Sequence, residues 1–114
     1  MKKRLVEVRS YKLKPGSRDA FHAAAVSQAI PLLHKWKMDV VAFGPSAHGP
    51  DAYFLIRAYA DLDDLKRQQD AFYGSDDWKN GPRSAIVPLV ESFLNTVVWL
   101  SPEAIDDLRR NNAQ

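Results

Sequence analysis

The sequence contains no cysteine. That absence excludes disulfide bridges, thiolate nucleophiles, iron–sulfur ligation and thiolate zinc sites together. Long apolar runs are missing too. Nothing approaches the ~20 consecutive apolar residues a membrane-spanning helix requires. The basic start Lys2-Lys3-Arg4 leads into alternating residues from Leu5 rather than into the apolar core of a signal peptide. A cytoplasmic protein without a membrane span is expected. Nor is there a large excess of charge of one sign. The chain has 16 Lys and Arg against 14 Asp and Glu, a net +2. The basic side chains are dispersed, so no nucleic-acid stripe forms. Glycine is sparse, and Gly44-Pro45 and Gly49-Pro50 punctuate turns rather than cradling a phosphate.

What is present is the composition of one globular domain. The 114 residues are 46% hydrophobic and 26% charged, with aromatics well represented. So short a chain buries a modest share of its surface, which makes association helpful.

Alternation over Arg4–Lys14 predicts a strand that Pro15-Gly16 terminates. Ser17 is placed to cap a helix whose apolar stripe runs through Phe21, Ala24, Ala25 and Leu32. Pro31 should kink it, because it removes a backbone donor. Strands are expected over Met38–Ala47 and Ala52–Tyr59, joined through His48-Gly49-Pro50-Asp51 as a hairpin. Asp61, with Asp64 three residues on, should start a second helix bearing Leu62, Leu65, Gln69 and Phe72 on one face and ending at Gly74. Ser75 should cap a short turn holding Trp78, Arg83–Ser92 is ambiguous, and Phe93–Leu100 reads as the last strand. Ser101-Pro102 opens a short helix followed by a fraying tail. The order β-α-β-β-α-β is the ferredoxin-like pattern of the α+β class, a four-stranded antiparallel sheet with helices on one face. Residues 1–100 are expected to form this domain and residues 101–114 a C-terminal helix and tail.

Side chains alternate across a sheet, and here both faces are apolar. The aliphatic set Val6, Val8, Phe54, Ile56 and Ala58 is the expected lining beneath the two helices. Tyr11, Phe43, Tyr53, Leu55, Tyr59, Val97 and Trp99 would then lie on an open face with Glu7, Arg9 and Arg57 among them. Such a patch exceeds what a monomer tolerates, so a homodimer that closes the two sheets together is expected.

At Val6-Glu7-Val8-Arg9-Ser10-Tyr11-Lys12-Leu13-Lys14-Pro15-Gly16 the chain resembles the NIPSNAP family of the dimeric α/β-barrel superfamily. The strand Tyr53–Tyr59 leading into Asp61-Leu62, and the segment Phe72–Trp78 with its late Trp, are similar to that family's middle. The resemblance covers roughly residues 4–100 and implies a ferredoxin-like protomer pairing as a dimeric α/β barrel. It implies no catalytic set. The superfamily spans oxygenases, haem proteins, isomerases and binding modules, so fold does not choose among them.

Glu7, Arg9, Tyr11 and Arg57 are the leading pocket candidates, because arginines clamp carboxylates or enolates and a carboxylate can orient them or act as base. The same residues also suit a structural ion-pair network that sets dimer register. Tyr53, Tyr59 and Trp99 suit stacking on an aromatic ligand and equally suit interface core. His22, His34 and His48 lie on separate elements without metal-ligand spacing, and no metal or cofactor is expected. Two functions compete on these residues. One is a homodimer holding a small anionic or aromatic metabolite. The other is a cofactor-independent monooxygenase or isomerase acting on an enolisable or phenolic substrate.

Overall fold

The structure is a computed structural model and describes residues 2–114. Strand β1 (Arg4–Leu13) is followed by α1 (Arg18–Ala24), a π-helical stretch (Ala25–Ala29) and α2 (Ile30–Lys35). Strands β2 (Asp39–Pro45) and β3 (Ala52–Tyr59) then lead to α3 (Leu62–Tyr73) and the short α4 (Asp76–Lys79) and α5 (Arg83–Ile86). A 3₁₀ turn (Val87–Leu89), β4 (Val90–Leu100) and α6 (Pro102–Asn111) complete the chain. The sheet is antiparallel throughout, in the order β2-β3-β1-β4, which is the ferredoxin-like arrangement the pattern predicts.

Local chemistry accounts for most boundaries. Gly16 adopts φ +77° and turns the chain after β1 where a side chain would be strained. Ser17 departs from expectation. Its hydroxyl donates to the Lys14 carbonyl and caps nothing in α1. Pro31 does not break its helix. The turn before it widens into the π-helical stretch, which absorbs the missing N–H and the ring clash with the preceding turn. Asp61 accepts from Asp64 N at 2.8 Å, and the Asp64 carboxylate accepts in turn from Ala60 N at 2.9 Å, a reciprocal cap. The Ala60 N–H, with Gln68, holds the Asp64 carboxyl below its ordinary value. The ambiguous Arg83–Ser92 segment divides into helix, 3₁₀ turn and an early start of β4.

The sheet faces are reversed from the expectation. Tyr53, Leu55 and Tyr59 lie buried beneath the helices in the main core with Leu5, Leu13, Phe21, Leu33, Phe72 and Trp78. The aliphatic residues Val6, Ile56 and Ala58 occupy the opposite face. Period-two alternation defines the two side-chain sets of β1, β3 and β4 but does not say which set the helices land on. In β2 it fails, because a bulge between Val40 and Ala42 puts Val41 and Ala42 together on the aliphatic face and Val40 and Phe43 together against the main core. Large aromatics fill the deeper gap between sheet and helices, where small aliphatic residues would leave voids.

The aliphatic face is not bare either. Helix α6 crosses it and buries Ile105 against Val6, Val41, Ala42, Ile56 and Ala58. Arg109 fastens the helix by donating to the Val40 carbonyl (3.0 Å) and to Asp39 Oδ1 (3.1 Å). Arg4 holds the other Asp39 oxygen at 2.6 Å. Burial works against the Asp39 anion, but these two guanidinium groups prevail and leave its carboxyl below the ordinary 3.8. The tail is tied as well, since the Gln114 amide donates to the Phe43 carbonyl in the space left by Gly44.

Strand β4 is the exception to this covering. It lies at the sheet edge, and Leu94 is 78%, Trp99 53% and Phe93 50% exposed. Among the described residues no helix is long and apolar enough to cross a membrane.

Candidate functional site

Glu7 and Arg57 face each other across the β1–β3 pairing, and Arg9 lies two residues further along the same side of β1. The faces being reversed, this places all three in the layer between sheet and helices. They are the buried charged residues of the described chain: Arg57 is 0%, Glu7 1% and Arg9 8% exposed. Charges so deep require partners, and each has them. Arg57 Nε and Nη2 both donate to Glu7 Oε1, at 3.0 and 2.7 Å. Gln69 Nε2 donates to Glu7 Oε2 at 2.6 Å and also to Tyr59 Oη at 3.1 Å. Arg57 Nη1 donates to Tyr73 Oη at 2.9 Å. Arg9 Nε donates to Asn95 Oδ1 at 2.9 Å, and its Nη1 reaches the same Tyr73 oxygen at 3.2 Å.

Arg9 differs from Arg57 in one respect. Its Nη2 makes only a long ion pair, 3.7 Å from Glu7 Oε2, and the guanidinium also acts as a hydrogen-bonding neighbour of the Tyr11 hydroxyl. No buried polar side-chain atom of the described residues lacks a partner, and Arg9 borders an open space. That space is a cleft of about 660 Å³, lined by Arg9, Tyr11, Gln69, Tyr73, Trp78, Ile86, Val87, Val90, Glu91, Ser92 and Phe93, and the Glu91 carboxylate is paired with Lys12 at 3.5 Å. Its walls are mainly apolar and aromatic with few polar groups, the usual make-up of a small-molecule site. The Arg9 guanidinium also lies over the Phe93 ring, 4.5 Å from its centroid.

The electrostatics are uneven. Two buried guanidinium groups face one buried carboxylate, so the cluster carries one unbalanced positive charge beside the cleft. Burial opposes the Arg57 cation, yet Tyr73, Tyr59 and Glu7 around it hold its pKa above the ordinary guanidinium value. Burial pushes the Tyr59 phenol up to about 12 against the pull of Arg57, so it is neutral at physiological pH. Burial also raises Tyr11, with Tyr73 adding to it and Arg9 and Arg57 opposing.

The sequence-derived candidates therefore divide. Glu7, Arg9 and Arg57 form one hydrogen-bonded cluster, and Tyr11 stands in the cleft wall beside Arg9. Tyr59 supports the cluster from beneath through Gln69. Tyr53 does not face the cleft. It is core, its hydroxyl 2.6 Å from His22 Nδ1 and its ring against Phe21. Trp99 is apart from the cluster, at the exposed end of β4 opposite Leu5. The three histidines are not brought together, and no grouping of metal-ligating side chains occurs among the described residues.

Sequence reading missed Tyr73 and did not assign Gln69 to the site. Gln69 carried a signal, as a polar residue within the apolar stripe of α3. Tyr73 lies one turn further along that face, held by edge-on packing against Phe72 and Trp78.

The NIPSNAP family model matches residues 6–102. A NIPSNAP family protein of unknown function from Agrobacterium tumefaciens is 23% identical, with a TM-score of 0.80 over 89% of this chain and 94% of that one. An uncharacterized NIPSNAP-like domain protein from Burkholderia xenovorans is 20% identical, with a TM-score of 0.79 over 90% and 89%. An antibiotic biosynthesis monooxygenase-like protein from Bordetella bronchiseptica is 23% identical, with a TM-score of 0.63 over 87% and 96%. At these identities the likeness concerns the fold alone. No curated protein matches the chain.

Proposed function

The chain belongs to the NIPSNAP family, and from that premise we propose that it binds a small, planar, singly charged anion in the cleft beside Arg9. One observation carries this reading: a nearly buried arginine, whose Nη2 makes only a long 3.7 Å ion pair with Glu7, lines an aromatic-walled cleft of about 660 Å³. An incoming carboxylate neutralises the spare positive charge and satisfies Nη2, while Tyr11, Trp78 and Phe93 supply apolar surface for its body. Glu7 and Arg57 are not the ligand contacts. They hold Tyr73 and the floor of the cleft in place.

Benzoate or phenylpyruvate is expected to raise the thermal midpoint of the purified chain. A ligand at 100 times its Kd stabilises by about 2.7 kcal/mol. Arg9→Met should abolish the rise while the protein still folds, because it strands no buried charge. Unchanged midpoints across a broad panel of aryl and α-keto carboxylates would overturn the reading.

A second copy of the chain covers β4. The support is the strand's position: its outer backbone edge is unpaired, and Phe93, Leu94, Val97, Val98 and Trp99 are exposed along both of its faces. An apolar edge strand left open is an association or aggregation site. Since Val90 and Phe93 line the cleft, pairing there also brings the partner to its mouth. Light scattering at micromolar concentration should give twice the chain mass, and Leu94→Asp should give one chain mass. A wild-type protein of single-chain mass overturns the pairing.

A further inference from the structure

The hydroxyl of Tyr73 has an uncommon set of neighbours. It accepts from Arg57 Nη1 and from Arg9 Nη1, at 2.9 and 3.2 Å. A phenol oxygen offers two acceptor sites and one proton. Both acceptor sites are taken by cationic donors, and no acceptor among the described residues receives the proton. Tyr73 also lines the cleft. Its ring is fixed by Phe72 at 5.0 Å and Trp78 at 5.1 Å. The result is a rigid O–H donor at the cleft wall whose conjugate base would already have two guanidinium donors aimed at it, the preorganised arrangement that lowers a proton-transfer barrier.

We propose that Tyr73 exchanges a proton with the bound anion, and that the cleft thereby speeds ketonisation of an enolic, planar carboxylate. The proposal rests on the binding reading above. With the carboxylate on Arg9 Nη2, the Tyr73 proton passes to the nucleophilic enol carbon. The C=C electron pair forms the new C–H bond as the tyrosine O–H bond breaks. The enol oxygen closes to C=O and releases its own proton to water, and the phenolate regains a proton from water. Enol becomes ketone, with no oxidant, reductant or metal required. Glu7 takes no part, because Arg57 occupies one of its oxygens and Gln69 the other.

Enolic phenylpyruvate tests this, because its binding and its reaction are read separately. Binding is followed by tryptophan fluorescence, which Trp78 in the cleft wall should report, and reaction by loss of enol absorbance. The wild-type chain is expected to bind and to ketonise the enol about 100-fold or more faster than buffer, the range of a positioned general acid. Tyr73→Phe keeps the ring packing and should bind comparably while losing the acceleration. In deuterium oxide the wild-type protein should place deuterium on one face of the new carbon, a readout that needs no variant. Binding without acceleration, equal deuteration of both faces, or full speed in a folded Tyr73→Phe protein would overturn the proton-exchange role and leave the binding reading intact. Absence of binding would overturn both.

Discussion

Arg57→Met is expected to lower the unfolding free energy by about 3–5 kcal/mol, the usual consequence of leaving one member of a buried ion pair uncompensated. Arg57 is wholly buried, and it makes three of the hydrogen bonds that satisfy Glu7 and Tyr73. Without it the Glu7 carboxylate keeps only Gln69 and a distant Arg9. Glu7→Gln should be costly for the converse reason, since Arg57 then adds to a cluster of uncompensated positive charge. The double variant Glu7→Gln/Arg57→Met removes both charges, so it should be less damaging than the two single losses added together, by about 0.5–3 kcal/mol of coupling. Urea unfolding of all four proteins measures the cycle. Strict additivity would mean the two residues are not acting as a pair. A loss below about 1 kcal/mol for Arg57→Met would mean that water reaches the site.

Ile105→Ala is expected to cost about 2–5 kcal/mol, the range for deleting a buried branched side chain. Ile105 is the buried residue by which α6 seals Val6, Val41, Ala42, Ile56 and Ala58. A chain ending at Ser101 should be worse than Ile105→Ala and prone to aggregate, because it bares that aliphatic face. The electrostatic part of the docking has its own signature. The Asp39 carboxyl is lower in the folded chain, so its contribution is present above the ordinary 3.8 and lost as pH falls through the lowered folded value. Arg109→Ala should therefore matter more near neutral pH than under strong acid. A truncated chain as stable as the full one, and equally dispersed, would show that α6 merely rests on the sheet.

These two expectations concern residues that sequence reading handled differently. Glu7, Arg9 and Arg57 were legible because charges interrupted strands rich in Val, Leu, Ile and Tyr. Helix α6 was legible as an element, through Ser101 and Pro102, but read as an appendage to the domain. Its role depends on where a short helix falls after an edge strand, which no local pattern records. Tyr73 was invisible for a related reason. An exposed-looking tyrosine at the end of a helix carries no periodic mark, and its importance comes from meeting Arg9 and Arg57 across long sequence separations.

The sequence by itself determined the element order, the antiparallel ferredoxin-like sheet and the two side-chain sets of β1, β3 and β4, but not those of β2, where a bulge breaks the alternation. Each follows from local rules: period-two alternation, caps, and turns at Pro and Gly. Only the tertiary structure decided which set lies under the helices. Alternation is symmetric between the faces of a sheet, whereas the side on which a β-α-β crossover places its helix is set by the handedness of a twisted chain in three dimensions. That choice puts Arg9 at the mouth of a cleft inside one protomer, instead of between two sheets, and brings Tyr73 down upon it.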